Sequence, residues 1–384
     1  MARATSPRLA KLPPYLFAEL DRKKAAALAR GADVINLSIG DPDLPTPDFI
    51  VEAMARAIRE PANHRYPQGQ GSPEFRRAAA AFMKRNYSVR LDPETEIVAL
   101  IGSKEGIAHL PLALAGPGDR VLVPDPGYPP YFSGTVLAGA EPVAVPLLKE
   151  NGFLPDLKSL PGEARLLFLN YPNNPTGAAA TLDFFKDAVG WANSRGAWLA
   201  QDAAYAEAFF DGRRPPSLLQ APGAMESGVE FHSLSKTFNM TGWRVGWACG
   251  NASAIGALAK VKSHMDSGVF TAIQEAAVAA LDQGERAAED MRAALKLRRE
   301  LFAGGLKKAG WEVFANSATF YLWCAVPGGA DSARCAARLL DEAAIVATPG
   351  GGFGARGEGF MRFALTVPLP RLALALERLA ALTW

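Results

Sequence analysis

Lys236 lies in the stretch from Phe231 to Trp247, which reads F-H-S-L-S-K-T-F-N-M-T-G-W-R-V-G-W. Ser233 and Ser235 precede it and Thr237 follows. From His232 to Trp243 no other Asp, Glu, Lys or Arg occurs. An amine in a small, hydroxyl-rich, apolar setting is desolvated, and its pKa falls. Such an amine can attack a carbonyl and form a Schiff base. The same residues would suit an ordinary loop lysine beside a strand. The chemistry therefore has to be argued from partners elsewhere in the chain.

An aromatic aldehyde cofactor carrying a phosphate, a ring nitrogen and a phenolic oxygen would need several kinds of partner. Lys236 would hold the aldehyde as an imine. A carboxylate would keep the ring nitrogen protonated. Asp202 fits, because it ends the otherwise uncharged run Ala197-Trp198-Leu199-Ala200-Gln201; a helix cap or turn aspartate is the alternative. Asn174 and Tyr205 are candidate donors to the phenolic oxygen. Ser103 and the backbone of Lys104, at a helix start, suit the phosphate together with Ser233, Ser235 and Arg244. Tyr128, in a proline-rich turn, could stack on the ring or simply pack. Arg362 alternates with apolar neighbours in Gly359-Phe360-Met361-Arg362-Phe363. An arginine so framed is partly buried and wants a two-oxygen acid partner, either a substrate carboxylate or a structural one.

The elements that must position these residues follow from hydrophobic pattern and turn chemistry. A helix is expected over 12–31 and a short strand over 34–40. Three prolines keep the segment 41–47 extended. Another helix covers 49–59, and Ser72 caps one that starts at Pro73. Strands are expected at 97–101, 120–124, 142–145, 166–170, 197–202, 230–234 and 245–249, with helices between many of them. Short apolar strands alternating with helices imply a mostly parallel sheet covered on both faces, an α/β fold. Loops beyond the carboxyl ends of such strands carry the chemistry, and Asn174, Asp202 and Lys236 all fall there. A long helix over 284–309 leads to a C-terminal lobe. That lobe has strands at 319–325, 345–348 and 359–366 and a helix near 333–343, a small α+β unit. The glycine run 350–354 reads as turn geometry, since it lacks nucleotide-loop spacing.

Composition narrows the functional classes. The chain has 384 residues, 49% hydrophobic and 21% charged, with net charge +2. Nothing in that balance points to nucleic acid or a membrane surface. No apolar run approaches the length of a membrane span, and no signal peptide is visible. Three scattered cysteines suggest neither disulfides nor zinc, and four histidines make no ligand spacing. No metal is expected. A reducing, cytoplasmic setting is.

The order Asn173-Asn174-Pro175-Thr176-Gly177, Asp202-x-x-Tyr205, Ser233-x-Ser235-Lys236, Gly242-Trp243-Arg244-x-Gly246 and Met361-Arg362-Phe363 resembles the class I/II aminotransferases. These are pyridoxal-phosphate enzymes of the aspartate-aminotransferase fold, and the likeness runs from Asn36 to Thr366. It implies a large domain with a sheet of the seven-stranded type sandwiched by helices. It also implies a small domain built from both chain ends. The expected division is an N-terminal arm at 1–48, a cofactor domain at 49–284 and a small domain at 285–384. The resemblance further implies pyridoxal 5'-phosphate and a homodimer with shared active sites. Tyr66 would reach the partner subunit's phosphate, and Gly40 would line the substrate pocket. Lys236 becomes the imine lysine and proton shuttle, Asp202 the ring-nitrogen partner, Asn174 and Tyr205 the phenolate partners, Arg244 a phosphate ligand and Arg362 the α-carboxylate clamp.

A narrower likeness lies in Leu12–Ala18, Gly40–Pro47, Gly102–His109 and Asp266–Phe270. These loops are similar to those of LL-diaminopimelate aminotransferases, which aminate tetrahydrodipicolinate from glutamate in lysine biosynthesis. One departure is Asn316-Ser317, where that group implies Pro-Lys, so the resemblance does not carry distal-group recognition over at these positions. The alternatives are an aspartate- or alanine-type aminotransferase, an N-succinyldiaminopimelate aminotransferase, or a β-lyase or decarboxylase on the same fold. A non-catalytic regulator would need a DNA-binding module that the charge balance does not suggest.

Overall fold

A computed structural model describes residues 5–13, 16–314 and 316–384. Its strands, in chain order, are β1 (Ile35–Asn36), β2 (Ile97–Leu100), β3 (Arg120–Asp125), β4 (Glu141–Pro146), β5 (Leu166–Asn170), β6 (Trp198–Asp202), β7 (Gly228–Ser233), β8 (Gly246–Gly250), β9 (Glu312–Val313), β10 (Tyr321–Ala325), β11 (Ile345–Val346), β12 (Thr348–Pro349) and β13 (Phe360–Ala364).

Seven strands form the large sheet in the order β2-β8-β7-β6-β5-β3-β4. Pairings from β4 through β3, β5 and β6 to β7 are parallel. Strand β8 runs antiparallel to both β7 and β2. Side chains alternate across a strand. In β5, Leu167 and Leu169 enter a core that includes Phe75, Phe82 and Phe185. Leu166 and Phe168 enter another, with Ile107, Leu110 and Leu258. Both faces are buried, which is why these strands read as continuous apolar runs. Burial of one such leucine side chain stabilises by roughly 2 kcal/mol.

The smaller lobe holds an antiparallel sheet, β12-β13-β10-β9, and the parallel pair β1-β11. Pairing of Ile35 with Ile345 draws the N-terminal segment into the C-terminal lobe. The expected strand over 34–40 shrinks to Ile35–Asn36 for a visible reason. The carbonyls that would continue a ladder are taken by side chains instead. Ser38 O accepts from Thr348 Oγ1 at 3.0 Å and Arg362 Nη2 at 2.6 Å, and Ile39 O from Thr366 Oγ1 at 2.8 Å. Strands expected at 319–325 and 359–366 are likewise shorter, and the one over 345–348 is broken into β11 and β12.

The helix expected over 12–31 covers Leu16–Ala29, after a single turn at Leu9–Lys11. Pro14 and Tyr15 of the Leu12–Ala18 motif lie outside the described residues. Ser72 caps the helix Pro73–Tyr87, its hydroxyl accepting from Phe75 N–H. The long helix Glu285–Lys308 buries Met291, Leu295, Phe302 and Leu306. Its buried Arg298 bonds Asp43 Oδ2 at 3.0 Å, tying the proline-rich segment to the lobe. Among the described residues no helix is long and apolar enough to cross a membrane.

Candidate active site

A cavity of about 370 Å³ opens between the carboxyl ends of the large-sheet strands and the small lobe. Gly40, Ser103, Lys104, Tyr128, Asn174, Asp202, Tyr205, Ser233, Ser235, Lys236, Arg244 and Arg362 line it, with Asp21, Ile39, Ala204 and Tyr321. Every site residue expected from the sequence is there except Tyr66, which is 90% exposed on the surface of the chain. A second cavity, about 300 Å³, lies between Leu20–Lys23 and Ala333–Leu340; it contains none of these residues.

Parallel register brings the central groups together. Asn170 at the end of β5 pairs with Asp202 at the end of β6. Asn170 then ties the two following loops: its Nδ2 donates to Asp202 O at 2.8 Å, and its Oδ1 accepts from Asn174 N–H at 2.7 Å. Asp202 is buried, and burial pushes its carboxyl up to about 6, against the donors Tyr131 O–H and Ala204 N–H and the nearby His232. Tyr131 donates to Asp202 Oδ2 at 2.8 Å and Ala204 N–H to Oδ1 at 3.1 Å. A buried acid at that position is poised to become a carboxylate when a cation arrives.

Lys236 follows β7 on the short helix Leu234–Thr237, whose first turn Ser233 caps. Its Nζ donates to Gly40 O at 2.6 Å. Burial lowers its pKa to about 8; Asp41 opposes this, and Arg244 and Arg362 add to it. The amine is therefore neutral in an appreciable fraction of molecules near neutral pH, as a carbonyl-attacking lysine must be.

The end of the cavity expected to suit a phosphate is built from backbone as well as side chains. Gly102 (φ 73°) precedes the helix Ser103–Leu114, and Ser103 and Lys104 at the helix start line the cavity. Arg244 itself has φ 54°, uncommon for a residue with a side chain. That turn lays its guanidinium against Gly102, where any Cβ would lie 2.3 Å from Nη2. Arg244 Nη1 donates to Thr241 O at 2.8 Å.

Arg362 is buried on β13. Its Nη1 donates to Asn174 Oδ1 at 2.7 Å and its Nη2 to Ser38 O. Guanidinium only donates, so Asn174 must turn Oδ1 toward it and leave its Nδ2 donor for the cavity. The guanidinium lies over the rings of Tyr321 at 4.1 Å and Phe353 at 4.7 Å.

Asn170, Tyr131 and Tyr321 were missed by sequence reasoning. Asn170 adjoins the Asn173–Gly177 motif and Tyr131 lies three residues past Tyr128, so proximity to recognised motifs was the available signal. Asn316 does not line the cavity; its amide donates to Ala318 O and Tyr321 O. At Asn316 the sequence departure therefore falls on a backbone brace. Glu105, His109 and Asp266 bring ligand-type atoms together as a metal site would. The ammonium of buried Lys262 already contacts Glu105 at 2.9 Å and Asp266 at 3.1 Å, supplying the cation.

The Aminotransferase class I and II family model matches residues 32–379. An LL-diaminopimelate aminotransferase of Desulforudis audaxviator is 51% identical over 99% of this chain and 98% of its own. One from Aquifex aeolicus is 52% identical over 97% of this chain and 98% of its own. Among solved structures, substrate-bound BacF of Bacillus subtilis has a TM-score of 0.96 and 38% identity, covering 100% of this chain and 99% of that one. A mutant aspartate aminotransferase of Thermus thermophilus reaches 0.92 with 32% identity, over 99% of both chains. With the lysine, the buried acid and the arginine in one cavity, and these likenesses spanning the chain, the protein belongs to the class I and II aminotransferases.

Proposed function

We propose that the protein uses pyridoxal 5'-phosphate to exchange an amino group between glutamate and a 2-oxo acid, with LL-diaminopimelate and its cyclic oxo-acid counterpart as the second pair. The observation that carries the cofactor reading is the donor set of one cavity. A lysine lowered to about 8 faces a buried acid raised to about 6. Asn174 Nδ2 and Tyr205 O–H suit a phenolic oxygen. Ser103, Lys104 N–H, Ser233, Ser235 and Arg244 suit a phosphate, and Tyr128 supplies an aromatic face. When bound, the cofactor supplies an electron-accepting ring for the electrons left at a substrate α-carbon.

The chain's own residues do the rest. Arg362 binds the substrate α-carboxylate through two N–H groups, fixing the α-carbon toward Lys236. Lys236, in its neutral form, takes the α-proton on Nζ and later returns it. Asp202, ionised by a positive ring nitrogen, holds that charge in a dry site. Asn174 joins the carboxylate clamp to the phenolate side through one amide.

The substrate assignment rests on relatives about 50% identical over nearly the whole chain that carry the name LL-diaminopimelate aminotransferase. We assign the active form as a homodimer, with Tyr66 reaching the partner subunit's phosphate; its exposure on an isolated chain supports that. The functional division is an arm at 1–48, a cofactor domain at 49–284 and a small domain at 285–384. Three buried free cysteines fit a reducing, cytoplasmic compartment. The test is amino exchange from LL-diaminopimelate to 2-oxoglutarate, run beside aspartate and alanine. Fast aspartate or alanine turnover with none from LL-diaminopimelate overturns the substrate assignment. Failure to take up pyridoxal phosphate with a new near-ultraviolet or visible band overturns the cofactor reading.

A further inference from the structure

Tyr321 has no role in the reading above, yet it touches three parts of the site. Its hydroxyl lies 3.0 Å from that of Tyr205, with both groups buried. Its ring lies under the Arg362 guanidinium, 4.1 Å from the centroid. The same hydroxyl fills the space beside Gly40, where an added Cβ would lie 1.7 Å from its oxygen. Gly40 O, in turn, accepts from Lys236 Nζ.

The position of this hydroxyl is fixed by the fold. Tyr321 begins β10 and pairs with Ala364 of β13. Its N–H donates to Thr319 Oγ1 at 3.1 Å, and its carbonyl accepts from Asn316 Nδ2 at 2.9 Å. The rings of Tyr205 and Tyr321 meet edge to face at 5.5 Å. Two hydroxyls in contact share one hydrogen bond. They hold two protons, so one proton points outward along the pair. An anionic acceptor next to Tyr205 selects a single order: Tyr321 donates to Tyr205, and Tyr205 donates to the acceptor. Donation into a hydroxyl makes that hydroxyl a stronger donor, because hydrogen bonds in series polarise one another.

We infer that Tyr321 is a positioning residue for the phenolate side of the site, acting through Tyr205 to strengthen its hydrogen bond to the cofactor's phenolic oxygen. This rests on the proposed role of Tyr205 and deepens it. The consequence can be read without turnover. With the cofactor held on Lys236, a proton on the lysine nitrogen would be stabilised by an anionic phenolic oxygen beside it. A donor from Tyr205 stabilises the oxygen anion and lowers the pH at which that proton leaves. Weakening the donor raises it.

The experiment is an absorption-monitored pH titration of the cofactor-loaded protein. Losing a hydrogen bond to an anion should raise the midpoint in Y205F by about one to two pH units. Y321F should raise it in the same direction by about 0.2 to 0.5 unit, the cooperative share of that bond. The double variant should match Y205F alone, since Tyr321 acts only through Tyr205. Y321F keeps the ring under Arg362, so packing is preserved. Gly40→Ala is a second route: it removes neither hydroxyl but displaces that of Tyr321, and should also raise the midpoint. An unmoved midpoint in Y321F, or a shift that adds in full to that of Y205F, overturns the inference. If Y321F does not load cofactor, an unmoved midpoint in Gly40→Ala overturns it instead. A wild-type protein with no cofactor band removes the reading on which the inference stands, a different and recognisable outcome.

Discussion

The two walls of the cavity are made in different ways. One wall is the row of strand ends at β5, β6 and β7, with Asn174, Asp202 and Lys236 in the loops that follow. Its members are neighbours by register, and Asn170 and Asp202 are only 32 positions apart. The other wall is Gly40, Tyr321 and Arg362. It is assembled over long separations: Arg362 reaches Ser38 O across 324 positions, and Lys236 reaches Gly40 O across 196. The first wall inherits its geometry from a parallel sheet buried on both faces. The second depends on the N-terminal segment returning to the C-terminal lobe through a two-residue strand pair. Chemistry common to the fold sits on the first wall. On the proposed reading, the substrate's carboxylate is gripped by the second.

Breaking the first wall should therefore abolish reaction, whereas breaking the second should change which substrates bind and how well. The largest effect is expected at Lys236. Lys236→Ala should lower transamination by about 10⁴-fold or more while leaving the fold intact, because the base proposed for the α-proton is lost. Single-turnover amino transfer measures it. A variant with near-normal rates would show that the first wall does not hold the base.

Asp202 comes next and has a pH signature. Asp202→Asn should lower the rate by about 10²- to 10³-fold, as one preorganised charge partner is removed. In the wild-type apoprotein its carboxyl is raised to about 6 from 3.8. The folded state thus holds a proton that the unfolded state releases between those values, so this group's contribution to stability declines as pH rises through that window. A cationic ring nitrogen must displace that proton below pH 6. Cofactor affinity should consequently fall as pH drops through 6, by up to about tenfold per pH unit. Equilibrium titration of the apoprotein at several pH values checks this, and the same decline in Asp202→Asn would remove Asp202 as its cause.

On the second wall, Arg362→Lys should cost about 10²-fold in kcat/KM, mostly through KM. A lysine gives one point charge where two N–H groups now reach Asn174 and Ser38. The visible band of the bound cofactor should survive. A fall in kcat with KM unchanged would move Arg362 from substrate binding to chemistry.

The contrast between walls also explains what could be read from the sequence. Residues of the first wall follow apolar strands directly, so a run such as Ala197–Gln201 ending in Asp202 advertises both element and site. Asn170 and Tyr131 escaped because each supports a functional group instead of touching the reactants. Second-wall strands are shorter than their sequence patterns predict. The alternation at 34–40 looks like a strand, but its later carbonyls bond to Thr348, Thr366 and Arg362 side chains far away in the chain. Local pattern carries no record of such partners. Tyr66 could be recognised only by family likeness, since it stands 90% exposed among the described residues.

The smallest effect tests whether the second wall reaches beyond its visible lining. Asn316 is the first residue of the pair Asn316-Ser317, which stands where the resemblance implied Pro-Lys, and its amide is committed to Ala318 O at 3.3 Å and Tyr321 O at 2.9 Å. Its Cβ packs 2.8 Å from where one on Gly177 would stand. Asn316→Ala keeps that Cβ and removes only the amide. Stability should drop by about 1 kcal/mol, the usual net worth of such bonds. The ratio of LL-diaminopimelate to aspartate turnover should move less than about threefold, because no substrate-facing group is lost. Were Asn316 reading the distal end of the substrate, a lost buried hydrogen bond would change that ratio by about tenfold or more at little cost in stability. Measuring both quantities on one variant separates a residue that holds Tyr321 in place from one that meets the substrate.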